Sequence, residues 1–488
     1  MYLGIDIGTS ELKSQLIDNT GKIITSSHIP LIIHRPHPNW AEQSPQSWWD
    51  ATNQSIATIR QKAPEAWSKL RAIGLSGQMH GAVILDKNQH VLRDCILWND
   101  TRSTEECEWL MEHYPAFLSI GANLVMPGFT APKLLWLARN EPDIFAQIDK
   151  VLLPKDYLRW RLTGTLVGDM SDSAGTLWFD VAKRDWSDTL LQATGLTRQQ
   201  MPTLIEGSQI SGTLRSDLAT LWGVNDNVIV AGGGGDNAAS AVGVGAVNNG
   251  DAFISLGTSG VIFVVNDELK ANPHSGVHAF AHALPHRWHQ MSVMLSAASC
   301  LRWLCNLLST TENILMDEIA QLTEEQIKHA PIFLPYLSGE RTPHNDAKAT
   351  GSFFALRHET ERAALGYAVI EGVAFGLADG MAVLGDTHIL QCSLTGGGAR
   401  SAIWAQLIAD ILNIPIVTHP ASSSGALGAA RLAWLADGGD EATVCQKPEI
   451  QKRYLPQPNK QAFLNKRYQV YKILYQQQKT ARALLPTE

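Results

Sequence analysis

The same short turn occurs twice in this chain, about half a chain apart: Gly8-Thr9-Ser10 and Gly257-Thr258-Ser259. Each ends one apolar run, Tyr2 to Ile7 or Ala252 to Leu256, and opens another, Leu12 to Ile17 or Val261 to Val265. A glycine-led turn between two strands brings backbone N–H groups and a hydroxyl near one point, which suits phosphate oxygens. One such turn is an ordinary hairpin. Two with matching flanks predict a duplicated fold that grips a polyphosphate from two sides. Between them, Val230 to Asn237 is a run of four glycines ending in Asp236. No glycine loop ends in Gly-Lys-Ser or Gly-Lys-Thr, so a P-loop lysine is not expected.

The bulk composition restricts the alternatives. A chain of 488 residues has room for two to four domains. With 45% apolar residues, 18% charged residues and a formal charge of −8, it fits neither a disordered chain nor a nucleic-acid binder. The six cysteines form no CxxC pair and read as buried free thiols of a reducing compartment. The first strand begins at Tyr2 with no basic, cleavable leader, and no uncharged apolar run reaches bilayer length. The nearest, Met291 to Leu308, is interrupted by Arg302. These features predict a cytoplasmic protein with no membrane partner.

The halves read alike. In the first, a strand meander leads through Asp18-Asn19-Thr20-Gly21 and a proline-rich loop to Ser44-Pro45, which starts a helix with Trp49, Ile56 and Ile59 at helical spacing. A strand from Ala72 then ends at Ser76-Gly77-Gln78-Met79-His80. In the second, a helix is expected near Leu365 to Leu384, then Thr395-Gly396-Gly397-Gly398-Ala399-Arg400, and a small-residue helix from Gly425. The lobes are expected to divide at residues 1–245 and 246–488, with a helical tail beyond Pro448 packing on either one.

Two acids carry the expected chemistry. Asp6 lies at a strand end beside the first turn, where a carboxylate is costly without a cation or donors. Hydrated magnesium or backbone N–H groups would satisfy it. Asp236 can cap the helix that follows it, act as a base on an acceptor hydroxyl, or do both; a loose phosphoryl-transfer transition state needs only a weak base. The glycines at 396–398 can lie against adenine or ribose. Met79-His80 and Trp98-Asn99-Asp100 follow first-half strands and mix polar groups with an apolar face, as a polyol site requires. The histidines at 274, 278, 282, 286 and 289 share no acid or cysteine spacing and read as core or solvated residues.

Several strings resemble the FGGY carbohydrate kinases, and among them the bacterial xylulokinase branch, up to about Ala436. They include YLGIDIGTS, RPHPNWAEQSPQSWW, SGQMHGAVILD, ILWNDTR, MPGFTAPKLLWL, LLPKDYLR, GGGGDNAASAVGVG, LGTSGV, FLPYLSGERTPHN and LTGGGARS. The resemblance implies an α/β fold of two ribonuclease-H-like lobes of the actin/hexokinase type around a cleft. It implies ATP and Mg2+ as cofactors, and phosphorylation of D-xylulose to D-xylulose 5-phosphate. Asp236 would be the general base, with Met79, His80, Asn99 and Asp100 on the sugar. Asp6 would face magnesium. Thr9, Ser10, Gly257 and Thr258 would face phosphate, and Gly397, Gly398 and Arg400 the adenosine. Homodimers are common among such relatives. Another ketose or polyol as acceptor, or a non-catalytic actin-like nucleotide switch, are the rival readings. The chain departs from the pattern at Glu11, at Ala355 and Ala364, and in the fourth glycine before Asp236.

Overall fold

Two mixed sheets with corresponding strand order frame the molecule, seen in a computed structural model that describes residues 1–420 and 425–484. In the first sheet, Tyr2–Ile7, Glu11–Ile17 and Ile23–Pro30 form an antiparallel meander. On the other side of Tyr2–Ile7, Ala72–Gly77 and then Ile229–Ala231 add in parallel, and Ile210–Thr213 closes the edge antiparallel. In the second sheet, Ala252–Leu256, Gly260–Asn266 and Trp288–Met294 repeat the meander. Cys392–Thr395 and Ile416–Thr418 repeat the parallel pair, and Lys452–Tyr454 repeats the closing edge. His278–Ala281 extends the meander side by one strand. This is the duplication that the paired turns predict, of the ribonuclease-H-like, actin/hexokinase type that the resemblance implies.

Local sequence explains the elements. Leu3, Ile5 and Ile7 are buried and, as expected for a strand covered on both faces, every residue of the run except Asp6 is apolar or small. The helix Pro45–Lys62 starts with Ser44 as N-cap and proline in its first turn; Trp48 is buried in the core while Trp49 packs at its margin. The helix Arg362–Ala382 lies within the core of the second lobe. It is the one described helix long and apolar enough to cross a membrane, and its burial accounts for that composition. The apolar stretch Met291 to Leu308 is divided between the strand Trp288–Met294 and the helix Ala298–Leu307. The tail helix Pro458–Arg482 docks on the second lobe, where Arg467 Nε and Nη2 donate to the Glu371 carboxylate at 2.7 and 2.6 Å.

Two small-residue helices join the lobes. Asp236–Gly243 follows the first sheet, yet its Ala241 and the adjoining Val244 belong to the apolar cluster that contains Phe253 and Phe263 of the second. Gly425–Ala436 follows the second sheet and lies on the first, with the Ala426 and Ala429 carbonyls against Gly4 and Gly74. The helices meet where Gly428 touches the Ala239 carbonyl so closely that a Cβ there would fall 1.6 Å from the oxygen.

All six cysteines are buried and free. Among the described residues no group of three or more His, Cys, Asp or Glu side chains could hold a metal, and His278, His282 and His289 are buried, with pKa values driven down by burial. The Glu11 carboxylate lies 3.4 Å from His28 Nδ1. Ala355 sits at φ 66°, left-handed backbone that glycine adopts without strain. The extra glycine before Asp236 is absorbed as a bulge. Ile229–Ala231 pairs Val230 with Ile73, and Gly234 then pairs with Ser76, so four steps on one strand match three on the other, with Gly233 at φ 75° between them.

Candidate active site

Each sheet ends its central strand in a Gly-Thr-Ser turn. In the first, Gly8 N–H donates to the Glu11 carbonyl at 3.0 Å, leaving Thr9 and Ser10 as a two-residue tip. The Thr9 hydroxyl is already engaged: it accepts from Trp98 Nε1 at 2.9 Å and donates to Gln78 Oε1 at 3.0 Å. Gln78 Nε2 in turn donates to Gln43 Oε1 at 2.9 Å, and Gln43 Nε2 to the Thr9 carbonyl at 2.7 Å. This network fixes the turn, and Ser10 stands exposed at its tip. In the second turn, Gly257 N–H donates to the Ser259 carbonyl at 3.0 Å. The start of the helix Ala298–Leu307 binds the turn from behind, Ala298 N–H to Gly257 O at 2.8 Å and Ala297 N–H to Thr258 O at 2.9 Å. Thr258 is exposed.

The acids lie near each other at the head of the first sheet. Asp6 Oδ1 accepts from the Ser76 hydroxyl at 2.8 Å, and no described residue donates to Oδ2. Gly425, the first residue of the crossing helix, lies so close to this carboxylate that a Cβ would stand 2.8 Å from it. Burial raises the Asp6 pKa. Asp236 accepts from Asn237 N–H and Nδ2 at 2.7 and 2.9 Å through one oxygen. Burial first, and the Asp6 charge second, push its pKa up to about 6. A pair of carboxylates, each with one oxygen to which no described residue donates, fits Mg2+, which prefers one or two carboxylates plus phosphate oxygens.

Met79 adjoins the loop that carries Asp236, and His80 follows it. Met79 packs against Gly235 and Gly175, where a Cβ would come within 2.9 and 2.7 Å of its side chain. His80 adopts φ 72°, and its Nδ1 lies 2.7 Å from the Gly175 carbonyl. Nδ1 must therefore carry the proton, which leaves Nε2 as an acceptor; burial pushes the His80 pKa down to about 3, so the ring is neutral. Lys133, wholly buried, donates to the His80 and Gly128 carbonyls at 3.0 and 2.7 Å, and burial lowers its pKa to about 7. Asn99 Oδ1 is a buried acceptor without a hydrogen-bond partner among the described residues. Asp100 faces elsewhere. It is 1% exposed, and its oxygens accept from Ala41 N–H at 2.6 Å and from Arg102 N–H, Nε and Nη2 at 3.0, 2.9 and 2.7 Å. Expected on the sugar, it is held inward by the arginine two residues on.

On the second lobe Gly397, Gly398 and Arg400 line a pocket of about 520 Å³ with Leu301, Met316 and Ile403. Gly396 and Gly398 lie directly on Leu256, the residue before the second turn, which joins this pocket to that turn. A hollow of about 630 Å³ behind the helix Ala402–Leu412 touches neither turn. Sequence reading passed over Gln43, Gln78 and Lys155. Their signal was a polar side chain within an otherwise apolar or turn-forming run.

Two lobes of one strand order, with a glycine turn on each and paired carboxylates beside one of them, define a nucleotide-dependent phosphotransferase of the actin/hexokinase class. The N-terminal domain of the FGGY family of carbohydrate kinases matches residues 1–243 and its C-terminal domain residues 252–436. The chain belongs to that family. It is 49% identical to a xylulose kinase of Escherichia coli strain K12 over 483 residues, covering 98% of this chain and 99% of the relative. Among solved structures, a xyloylose kinase from Brucella ovis superposes with a TM-score of 0.96 at 49% identity, covering 98% of this chain and 99% of that one. A gluconate kinase from Lactobacillus acidophilus superposes at 0.91 with 28% identity, covering 97% and 96%.

Proposed function

We propose that this carbohydrate kinase transfers the γ-phosphoryl group of ATP to D-xylulose, giving ADP and D-xylulose 5-phosphate, in the cytoplasm. The observation that carries the reading is the placement of Asp236 beside Asp6, with Met79 packed on the preceding Gly235, in a chain 49% identical end to end to a xylulose kinase. The Asp236 carboxylate takes the proton of the acceptor hydroxyl as the O–P bond forms. Met79 walls the sugar, while His80 Nε2 and Asn99 Oδ1 accept from its hydroxyls. Asp100 acts behind them by holding the loop that carries Trp98 and Asn99. The nucleoside occupies the pocket at Gly397, Gly398 and Arg400, and the phosphates pass the turns at Thr9-Ser10 and Gly257-Thr258. Asp6 would hold Mg2+, which when bound neutralises phosphate charge. Closure of the lobes excludes water and limits wasteful hydrolysis.

The test is ADP release with Mg-ATP across D-xylulose, D-ribulose, L-xylulose, 1-deoxy-D-xylulose, D-gluconate, glycerol and a no-sugar control. The wild type is expected to respond most strongly to D-xylulose. Asp236→Asn should lose ~10²-fold or more of kcat while still binding nucleotide. A stronger response to another acceptor moves the substrate assignment. Release that ignores every sugar favours the nucleotide switch, and a fully active Asp236→Asn removes the base.

A further inference from the structure

The Asp236 loop has no side chains with which to orient itself. Gly232 to Gly235 precede the acid, so its direction depends on what holds their backbone. The Gly232 and Gly233 N–H groups donate to the Gln209 and Gly207 carbonyls at 2.8 and 2.9 Å. The Gly232 carbonyl accepts from Arg159 Nη2, and Gly235 N–H donates to the Ser171 hydroxyl at 3.1 Å.

Both side chains belong to a charge cluster sealed inside the first lobe. Lys155 Nζ lies 2.6 Å from Asp156 Oδ1, 2.6 Å from Asp169 Oδ1 and 3.1 Å from Asp172 Oδ2. Arg159 Nη1 donates to the same Asp156 oxygen at 2.7 Å. Asp169 Oδ2 accepts from both the hydroxyl and the N–H of Ser171. All five charged residues are at most 1% exposed. Two cations and three acids make an uncompensated negative charge, which such a site does not tolerate. Burial, with Asp156 and Asp169 nearby, drives the Asp172 pKa up, which favours its protonated form. Charges buried this completely are poor stabilisers compared with apolar side chains of the same volume. What the cluster provides is fixed donors and acceptors. The same short helix, Met170–Ala174, also serves the other side of the site: the Asp172 carbonyl accepts from Gly175 N–H at 2.9 Å, and the Gly175 carbonyl accepts from His80.

We propose that Ser171, held by the buried Lys155–Asp169 pair, and Arg159 are positioning residues for the Asp236 carboxylate, fixing the two ends of the glycine run that carries it. The inference rests on the reading of Asp236 as the base. Without the Ser171 hydroxyl, Gly235 N–H loses its partner and the carboxylate drifts, and a displacement of about 1 Å costs up to ~10²-fold in rate. The nucleotide pocket is on the other lobe and is unaffected.

Steady-state kinetics on Ser171→Ala, Ser171→Thr, Arg159→Lys and Asp236→Asn, below the midpoint of thermal unfolding of each, test this. Ser171→Ala and Arg159→Lys are expected to lose about tenfold or more in kcat with KM for ATP within about twofold of wild type. Ser171→Thr, which restores the hydroxyl, should recover most of the loss. If Ser171→Ala does not fold, Arg159→Lys gives the same readout, since it keeps the charge on Asp156 and gives up the second Nη. Wild-type kcat in whichever of these two variants folds, beside an inactive Asp236→Asn, overturns the proposal alone; so does a Ser171→Thr as slow as Ser171→Ala. An active Asp236→Asn overturns the base reading on which it rests.

Discussion

Asp236, the proposed base, has a pKa raised well into the range where a general base is useful. Its pKa of about 6 comes from burial and then from the negative charge of Asp6, and both favour the protonated form. A base must be ionised, so kcat/KM for the sugar is expected to fall tenfold per pH unit below about 6. Removing the Asp6 charge should move that limb to lower pH in the residual activity of Asp6→Asn. A limb that stays in place would show that burial alone sets it. The same shift acts on stability with a defined sign. A carboxyl whose folded pKa is raised favours the folded state while protonated, and that contribution is lost as pH rises through about 6. Asp236→Asn should therefore unfold at a higher temperature than wild type above pH 6 and show no gain below about pH 4. At this scale the sequence exposes anomalies: an acid beside a glycine turn, or at the end of a glycine run, is chemically odd enough to be read directly. Partners far apart in sequence are not. Gln78 meets Gln43 across 35 residues and Gly235 meets Ser171 across 64, and in sequence each is an ordinary polar or small residue.

Elements were legible where one segment's own periodicity decided them. Ser44-Pro45 starts a helix, and the two turn-flanked runs pair as hairpins, because those choices are local. The crossing helices show what is not local. Gly425–Ala436 is recognisable as a helix of small residues, but its packing on the opposite lobe's sheet depends on Gly4, Gly74 and Ala239, which it meets only after the chain has doubled back. Gly428→Ala should force the helix pair apart, since its Cβ would stand 1.6 Å from the Ala239 carbonyl oxygen. The expected cost is on the order of 3 kcal/mol, toward the upper end for overpacking, with a clear fall in the thermal midpoint. Gly397→Ala, whose Cβ meets only the end of Arg400 at 3.8 Å, should leave the midpoint unchanged. Equal midpoints for the two variants would mean that the helices separate freely.

On the scale of the whole molecule, the residues proposed for the sugar and the pocket proposed for the nucleoside lie on different lobes, so on that reading one ligand alone does not complete the site. Small-angle scattering should show the radius of gyration falling when D-xylulose and a non-hydrolysable ATP analogue are present together. The change should exceed that with the analogue alone. An unchanged radius in all states would indicate lobes already closed in the free protein. The duplication behind this division was readable from two three-residue turns. The side on which the tail docks was not, because it is set by Glu371 in a buried helix and its partner Arg467, 96 residues later.

The contact at Gly428 and Ala239 has a mechanical consequence. Backbone lies on backbone there with no side chain between to slide or re-pack, so the lobes have one near-rigid bearing about which to rotate. Points close to a bearing barely travel, and points far from it sweep the longest arcs. Asp6 and Asp236 sit beside it, at the heads of the two crossing helices. Arg400 lines the pocket of the second lobe. Closing would thus bring the outer surfaces onto sugar and nucleoside while the two carboxylates keep their relation to each other. On this reading the proposed chemistry is placed where the machine moves least.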